Sequence, residues 1–373
     1  MAFSIDCDFP GGSIEVVRAR AQGVVELALR EDSASDIRQW FDFVVQSDSP
    51  KPRTLSIVNA SESSFPSGWP GYQAIVCRNG RSWSRAKTSY DGKVLTIQHE
   101  PLGERTRYSY FMPYPLTRLE RLLRKAERGP WADVSIIGES CDGLPIHLAS
   151  FGDEEAPRTI WIVARQHPGE TPASWAMEGL IERLGEAGDE ALGALLAEAR
   201  VRVVPLVNPD GVMRGNHRTS ASGSNLNRVW DDPSAQDAPE VVAIREAIEA
   251  TGVDLFFDVH ADEASSFAFA ACSEGNPSYG EEIAFAEAQL RSDLAELTPE
   301  FIDEPVYDLD EPGEADLSCA SNFIGEAFGC PSITLELPIK GDGGGRIVSG
   351  WSHLRAQRFG RSLVDVLLRA VNR

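Results

Sequence analysis

Along the first 110 residues, apolar and polar positions alternate over short stretches broken by turn residues. Segments 13–18, 24–29, 37–46 and 54–59 are rich in β-branched and aromatic side chains, which marks strands. Segment 72–78 runs into Asn79-Gly80, and 82–88 runs into Asp91-Gly92 and then 93–98. Such Asn-Gly and Asp-Gly pairs between apolar stretches signal hairpins. Helical periodicity is scarce in this half, so it is expected to fold as an antiparallel β-sandwich.

The pattern changes at Met112-Pro113-Tyr114-Pro115. Beyond it Leu116, Leu119, Leu122 and Leu123 fall at helical spacing. Strand and helix patterns then alternate: strands at 159–164 (TIWIVA), 201–207, 254–259 and 332–337, helices at 173–184, 239–249, 279–294 and 353–370. Pro172 stands at the start of the first of these helices, where a missing N–H costs nothing. Alternation of this kind predicts an α/β domain with a largely parallel sheet covered on both faces. The expected division is 1–118 and 119–373.

Charge sharpens that division. The net charge is −22. Residues 1–118 hold 14 basic and 13 acidic side chains, a balance of +1, and the remainder hold 21 and 44, a balance of −23. An acidic second domain repels nucleic acid, so no nucleic-acid partner is expected. No apolar run is long enough to span a bilayer, and the first residues lack a basic stretch followed by an apolar one. The six cysteines are dispersed without a CxxC pair, which argues against a cysteine zinc site and suits a reducing cytoplasm. The Gly341–Gly345 run has no following Lys-Ser/Thr and is read as a loop.

Candidate chemistry gathers at the ends of predicted strands. TIWIVA runs into Arg165-Gln166-His167-Pro168-Gly169-Glu170, the strand at 254–259 runs into His260, and SITLE ends in Glu336. Ligands bind at the carboxyl ends of strands in open α/β sheets, and two imidazoles with a carboxylate suit Zn²⁺. HxxE alone is weak, since a single histidine is more often structural. Asn208-Pro209-Asp210-Gly211 is also a common turn, Asn225-Leu226-Asn227-Arg228 can cap a helix, and Glu336 can be a water-facing edge residue. Their joint occurrence in one order carries more weight: HPGE, then NPDGV, Gly215, Arg218, Gly223, NLNR, Asp258-Val259-His260 and Thr334-Leu335-Glu336.

This ordered set, over roughly residues 115–370, resembles the zinc metallocarboxypeptidases, and within them the cytosolic carboxypeptidases. The subfamily likeness rests on the short HPGE form, the GNxR…GxNLNR stretch, the leading β-domain and the FMPYP junction. The resemblance implies a carboxypeptidase-like α/β/α domain with a mixed, largely parallel sheet, preceded by the antiparallel β-sandwich. It implies that His167, Glu170 and His260 bind one Zn²⁺ per chain and that Glu336 is the general base and acid. It further implies that Arg218 stabilises the oxyanion, and that Asn227 and Arg228 hold the substrate's terminal carboxylate. The implied substrate is the C-terminal tail of a peptide or protein. Asp258 either orients a ligand histidine or faces the core.

Other features stay open at this stage. Relatives carry a mobile tyrosine before the catalytic glutamate; Tyr307 is the only tyrosine between Tyr279 and Glu336, further upstream than the family pattern places it. The acidic loop at 303–316 is a candidate cleft wall. Arg291 is the only cation between His260 and Glu336, with Lys340 and Arg346 following, which leaves preference for acidic tails undecided. His99, His147 and His353 are expected to be structural, and His217 stands beside Arg218. Arg78, Arg81, Arg85 and Lys87 form a basic hairpin around Trp83, expected as a solvated edge. A zinc deacylase of N-acyl amino acids would share these ligands, and a binding module without turnover would share the fold. The complete set of site residues and the extra β-domain favour a peptidase.

Overall fold

The computed structural model describes residues 3–19, 23–48, 51–77, 82–100, 103–341 and 350–373. Arg78, Asn79, Gly80, Arg81, Arg346 and most of the glycine run lie outside them.

The first ten strands are β1 (Phe3–Asp6), β2 (Glu15–Arg18), β3 (Val24–Ala28), β4 (Asp42–Ser47), β5 (Arg53–Ile57), β6 (Ile75–Cys77), β7 (Trp83–Arg85), β8 (Thr88–Tyr90), β9 (Leu95–His99) and β10 (Arg105–Ser109). They form two five-stranded sheets, ordered β1-β4-β10-β6-β7 and β2-β3-β5-β9-β8. Inward residues of both, such as Phe43 and Tyr108 from one and Leu27 and Ile97 from the other, meet in one core. Pairing is antiparallel except between β3 and β5, which run parallel.

Two strand expectations are corrected. Segment 37–46 becomes a strand only from Asp42, because the preceding residues close a turn in which Asp32 N–H donates to the Ile37 carbonyl. Segment 82–88 is divided: β7 pairs with β6 in one sheet and β8 with β9 in the other. Arg85 is also not part of a solvated edge. Its guanidinium donates to the carbonyls of Gln73, Ile339 and Trp351, tying this domain to the next.

The second region comprises α1 (Leu116–Ala126), β11 (Ala132–Glu139), β12 (Pro145–Phe151), β13 (Arg158–Ala164), α2 (Thr171–Leu184), α3 (Glu190–Glu198), β14 (Ala199–Val204) and α4 (Pro209–Arg214). It continues with α5 (Pro239–Thr251), β15 (Leu255–Asp262), β16 (Phe269–Ala271), α6 (Glu281–Leu297), α7 (Ala320–Phe328), β17 (Ser332–Pro338) and α8 (His353–Val371). Its sheet runs β11-β12-β14-β13-β15-β17-β16. The four strands β14, β13, β15 and β17 are mutually parallel, with antiparallel strands at both edges.

The alternation along β13 shows why both faces are covered. Ile160, Ile162 and Ala164 join the core beneath α2 and α8, while Trp161 and Val163 join the one beneath α5 and α7. Helices α2 and α8 approach through glycines. A Cβ on Gly360 would stand 1.8 Å from the Ala176 carbonyl oxygen, and one on Gly179 would stand 1.9 Å from that of Gln357. Among the described residues no helix is long and apolar enough to cross a membrane.

Candidate active site

The carboxyl ends of the neighbouring strands β13, β15 and β17 converge. After β13 the chain turns sharply at Arg165, whose φ is +63°, a conformation that costs a side-chain-bearing residue energy and occurs at functional sites. Surrounding bonds hold it there: buried Arg165 donates to the Pro168 carbonyl (2.7 Å) and to Ser174 Oγ (2.8 Å). The turn thereby delivers His167 and Glu170 to one point, with Glu170 immediately before α2. On β15, His260 lies in register with Glu336 of β17.

His167 Nδ1 lies 2.7 Å from Glu170 Oε1, and His260 Nδ1 lies 2.9 Å from Glu170 Oε2. The two Nδ1 atoms are 3.1 Å apart. Each ring's other nitrogen faces an acceptor: His167 Nε2 lies 2.9 Å from Asn225 Oδ1 and His260 Nε2 lies 2.8 Å from Asp258 Oδ2. If the Nε2 atoms carry the protons, both Nδ1 lone pairs point at the carboxylate. Outer partners fix ligand tautomers in this way at metal centres. Three buried donor atoms lie within 4.8 Å of one another, held together by shared protons or by one cation in the protons' place. The donor set of two imidazoles and one carboxylate fits zinc.

Electrostatics follow the geometry. Burial lowers His167 to about 4, with Arg218 adding to the shift. Burial also disfavours charge on His260, but Asp258 and Glu170 outweigh it and raise the imidazole well above its ordinary value. Glu170 is buried too, yet the two imidazoles hold it well below the carboxylate range. Glu336 goes the other way: burial raises it, His260 opposes, and Glu170, Asp262 and Glu263 push it higher.

Of the remaining candidates, Arg218, Asn227, Arg228 and Glu336 all line one cavity of about 440 Å³ with the histidines and Glu170. Asn227 is buried; its oxygen accepts from Ala320 N–H (2.8 Å) and its amide nitrogen lies 3.3 Å from His260 Nε2. Arg228 is half exposed at the rim, donating to the Asn227 carbonyl and lying 3.7 Å from Asp316. Its guanidinium therefore stands at an open rim and not in a deep pocket. Asp258 orients His260. Tyr307 donates to Glu336 Oε1 and to Asp262 Oδ2, each at 3.2 Å, and the acidic loop does form a wall, through Pro305 to Asp310. Arg291 lines the cavity, whereas Lys340 donates to the Pro70 carbonyl. His217 packs behind the cavity against Glu263 at 2.8 Å.

Sequence reasoning assigned no role to Gln166 or Asn225. Gln166 donates to Asp258 Oδ2 and accepts from Trp230 Nε1, bracing the His260 partner. Both sit inside the motifs, beside residues that were singled out, and that adjacency was the available signal.

Residues 5–111 match the model of the cytosolic carboxypeptidase N-terminal domain, and 123–341 match that of zinc carboxypeptidase. A metallo-carboxypeptidase from Burkholderia cenocepacia is 36% identical, with full coverage of both chains and a TM-score of 0.95. One from Pseudomonas aeruginosa, solved with (2-guanidinoethylmercapto)succinic acid, is 37% identical over 99% of each chain, also at 0.95. An uncharacterised protein of Zymomonas mobilis is 37% identical over all of this chain and 97% of its own. Cytosolic carboxypeptidase 1 of Danio rerio is 26% identical over 73% of this chain, which spans only 28% of that relative's length.

Proposed function

The chain belongs to the zinc carboxypeptidase family, and from that premise we propose that it removes C-terminal residues from peptides or protein tails with one zinc ion held by His167, Glu170 and His260. Bound zinc supplies Lewis acidity at the scissile carbonyl and acidifies water. Glu336 takes a proton from the attacking water and returns it to the leaving amine. Its free Oε2, buried without a hydrogen-bond partner, supports that role. Arg218 meets the negative charge that develops on the carbonyl oxygen. Arg228 and Asn227 receive the substrate's α-carboxylate at the rim, where a guanidinium can bond both oxygens.

The observation that carries this reading is the convergence of two Nδ1 atoms on Glu170, with Glu336 directly paired to His260 across the sheet. The free cysteines and the names of the cytosolic relatives support a cytoplasmic setting.

The test is trimming of a peptide library read by mass spectrometry, with free-acid and amidated C-termini compared. Free-acid peptides should shorten one residue at a time, and amidation should reduce kcat/KM by roughly 10²-fold, the worth of about 3 kcal/mol of carboxylate recognition. Equal cleavage of both sets would remove the exopeptidase reading and leave a zinc hydrolase of another kind.

A further inference from the structure

Among the described residues the N-terminal domain adds none to the His167–Glu170–His260 cluster, yet one of its carboxylates reaches the loop that carries Arg218. Asp32 is 5% exposed, and its Oδ1 accepts from His217 N–H at 2.6 Å. Its Oδ2 accepts from Arg218 N–H at 2.7 Å, Thr219 N–H at 3.0 Å and Thr219 Oγ1 at 3.2 Å. Three successive backbone N–H groups turned to one point make an anion-binding nest, and here the anion is part of the chain.

Neighbouring residues of the same domain close on the same loop. Ser33 donates to Asn216 Oδ1 through both its N–H (3.0 Å) and its hydroxyl (3.2 Å). Ala34, at φ +54°, packs so closely on Gly223 that a Cβ there would stand 2.3 Å from its carbonyl oxygen. Phe65 lies beneath the Arg218 guanidinium, 5.3 Å from the ring centroid. The held loop also reaches the metal turn, because the His217 carbonyl accepts from Gly169 N–H at 2.7 Å.

We propose that Asp32 and Phe65 are positioning residues of the reaction: the N-terminal domain sets the Arg218 guanidinium where charge develops on the scissile carbonyl. The proposal rests on the oxyanion role assigned to Arg218 above. The carboxylate is specific to the task. Asparagine has the same shape, but it offers one acceptor oxygen and turns an NH₂ group towards N–H donors, so part of the nest loses its partner. A displaced Arg218 weakens an interaction made in the transition state and leaves ground-state binding largely intact, which separates kcat from KM.

The experiment is a double-mutant cycle on the full chain. Asp32→Asn, Phe65→Leu, Arg218→Ala and the combinations with Arg218→Ala are compared on one free-acid peptide, with zinc content and Tm measured on every variant. Asp32→Asn is expected to lower kcat on the order of 10–10²-fold with KM within about threefold and zinc retained. In the Arg218→Ala background the same substitution should cost less than about threefold, since the two residues act through one interaction. Phe65→Leu, at a half-buried position, should lower kcat in the same selective way, and it answers the question should Asp32→Asn fail to fold. Unchanged kcat in the folded Asp32 and Phe65 variants overturns the proposal, as does a loss that persists undiminished without Arg218. A wild-type kcat in Arg218→Ala is a different result, because it removes the oxyanion assignment itself.

Discussion

At the scale of single residues, the site pairs two carboxylates with opposite tendencies. Glu170, between two imidazoles, stays ionised, whereas buried Glu336 among other acids is pushed towards its protonated form. Glu336→Gln should retain zinc by elemental analysis while kcat falls on the order of 10²–10⁴-fold, since the amide cannot take the proton of the attacking water; His167→Ala should lose the metal. Another buried acid lies away from the cleft. Glu240, whose Oε2 lacks a partner, is raised by burial from 4.5 to about 7. Above pH 4.5 the unfolded chain releases a proton that the folded chain keeps, so stability declines between those two values and stays lower beyond them. Glu240→Gln removes that cost, and its Tm should exceed wild type at pH 8, by the equivalent of about 3 kcal/mol, while matching it below pH 4.5. The grouping of His167, Glu170 and His260 was legible from the ordered company of HPGE, NLNR and Asp258-Val259-His260, since HxxE alone is weak. Asn225 and Gln166 were not, because an amide that orients a histidine has the same local signature as one that caps a turn.

At the scale of elements, the buried strands of the second domain were the most legible, because continuous apolar runs bounded by turns leave little freedom. Of the hairpin β11–β12 only the strand around His147 was anticipated; in β11 polar and apolar positions do not alternate cleanly, and a bulge between Ile136 and Gly138 shifts its register. Tyr307 was hard to place from its distance along the chain. The structure brings it to Glu336 because its loop folds back over β16, where its ring meets Phe269 edge-on at 5.0 Å. The contact between α2 and α8 is also invisible in sequence, since Gly179 and Gly360 interrupt two helices for a reason seen only when the helices meet. Gly360→Ala must push α8 away from the helix that Glu170 precedes. The expected cost is about 1–3 kcal/mol of stability, measured by denaturant unfolding; an unchanged midpoint would mean that the helices adjust freely.

At the scale of the whole molecule, the charge step near residue 118 suggested two separable parts, but the buried core is continuous. Tyr110, Phe111 and Met112 join the same cluster as Trp175 and Ala176 of α2, Met112 accepts from Trp175 Nε1 at 3.0 Å, and Arg85 and Asp32 bond across the boundary. Calorimetry should consequently record one cooperative unfolding transition for the full chain; two resolved transitions would show that the parts melt independently. The order of strands has a consequence for how the protein is made. β17 is formed later than β16 yet lies between it and β15, so β16 cannot take its final place until the later segment has entered. Synthesis runs from the N-terminus, and it delivers His167, Glu170 and His260 well before Glu336. A growing chain thus carries its proposed metal ligands before its proposed base, and the cavity is complete only once β17 has entered between β15 and β16.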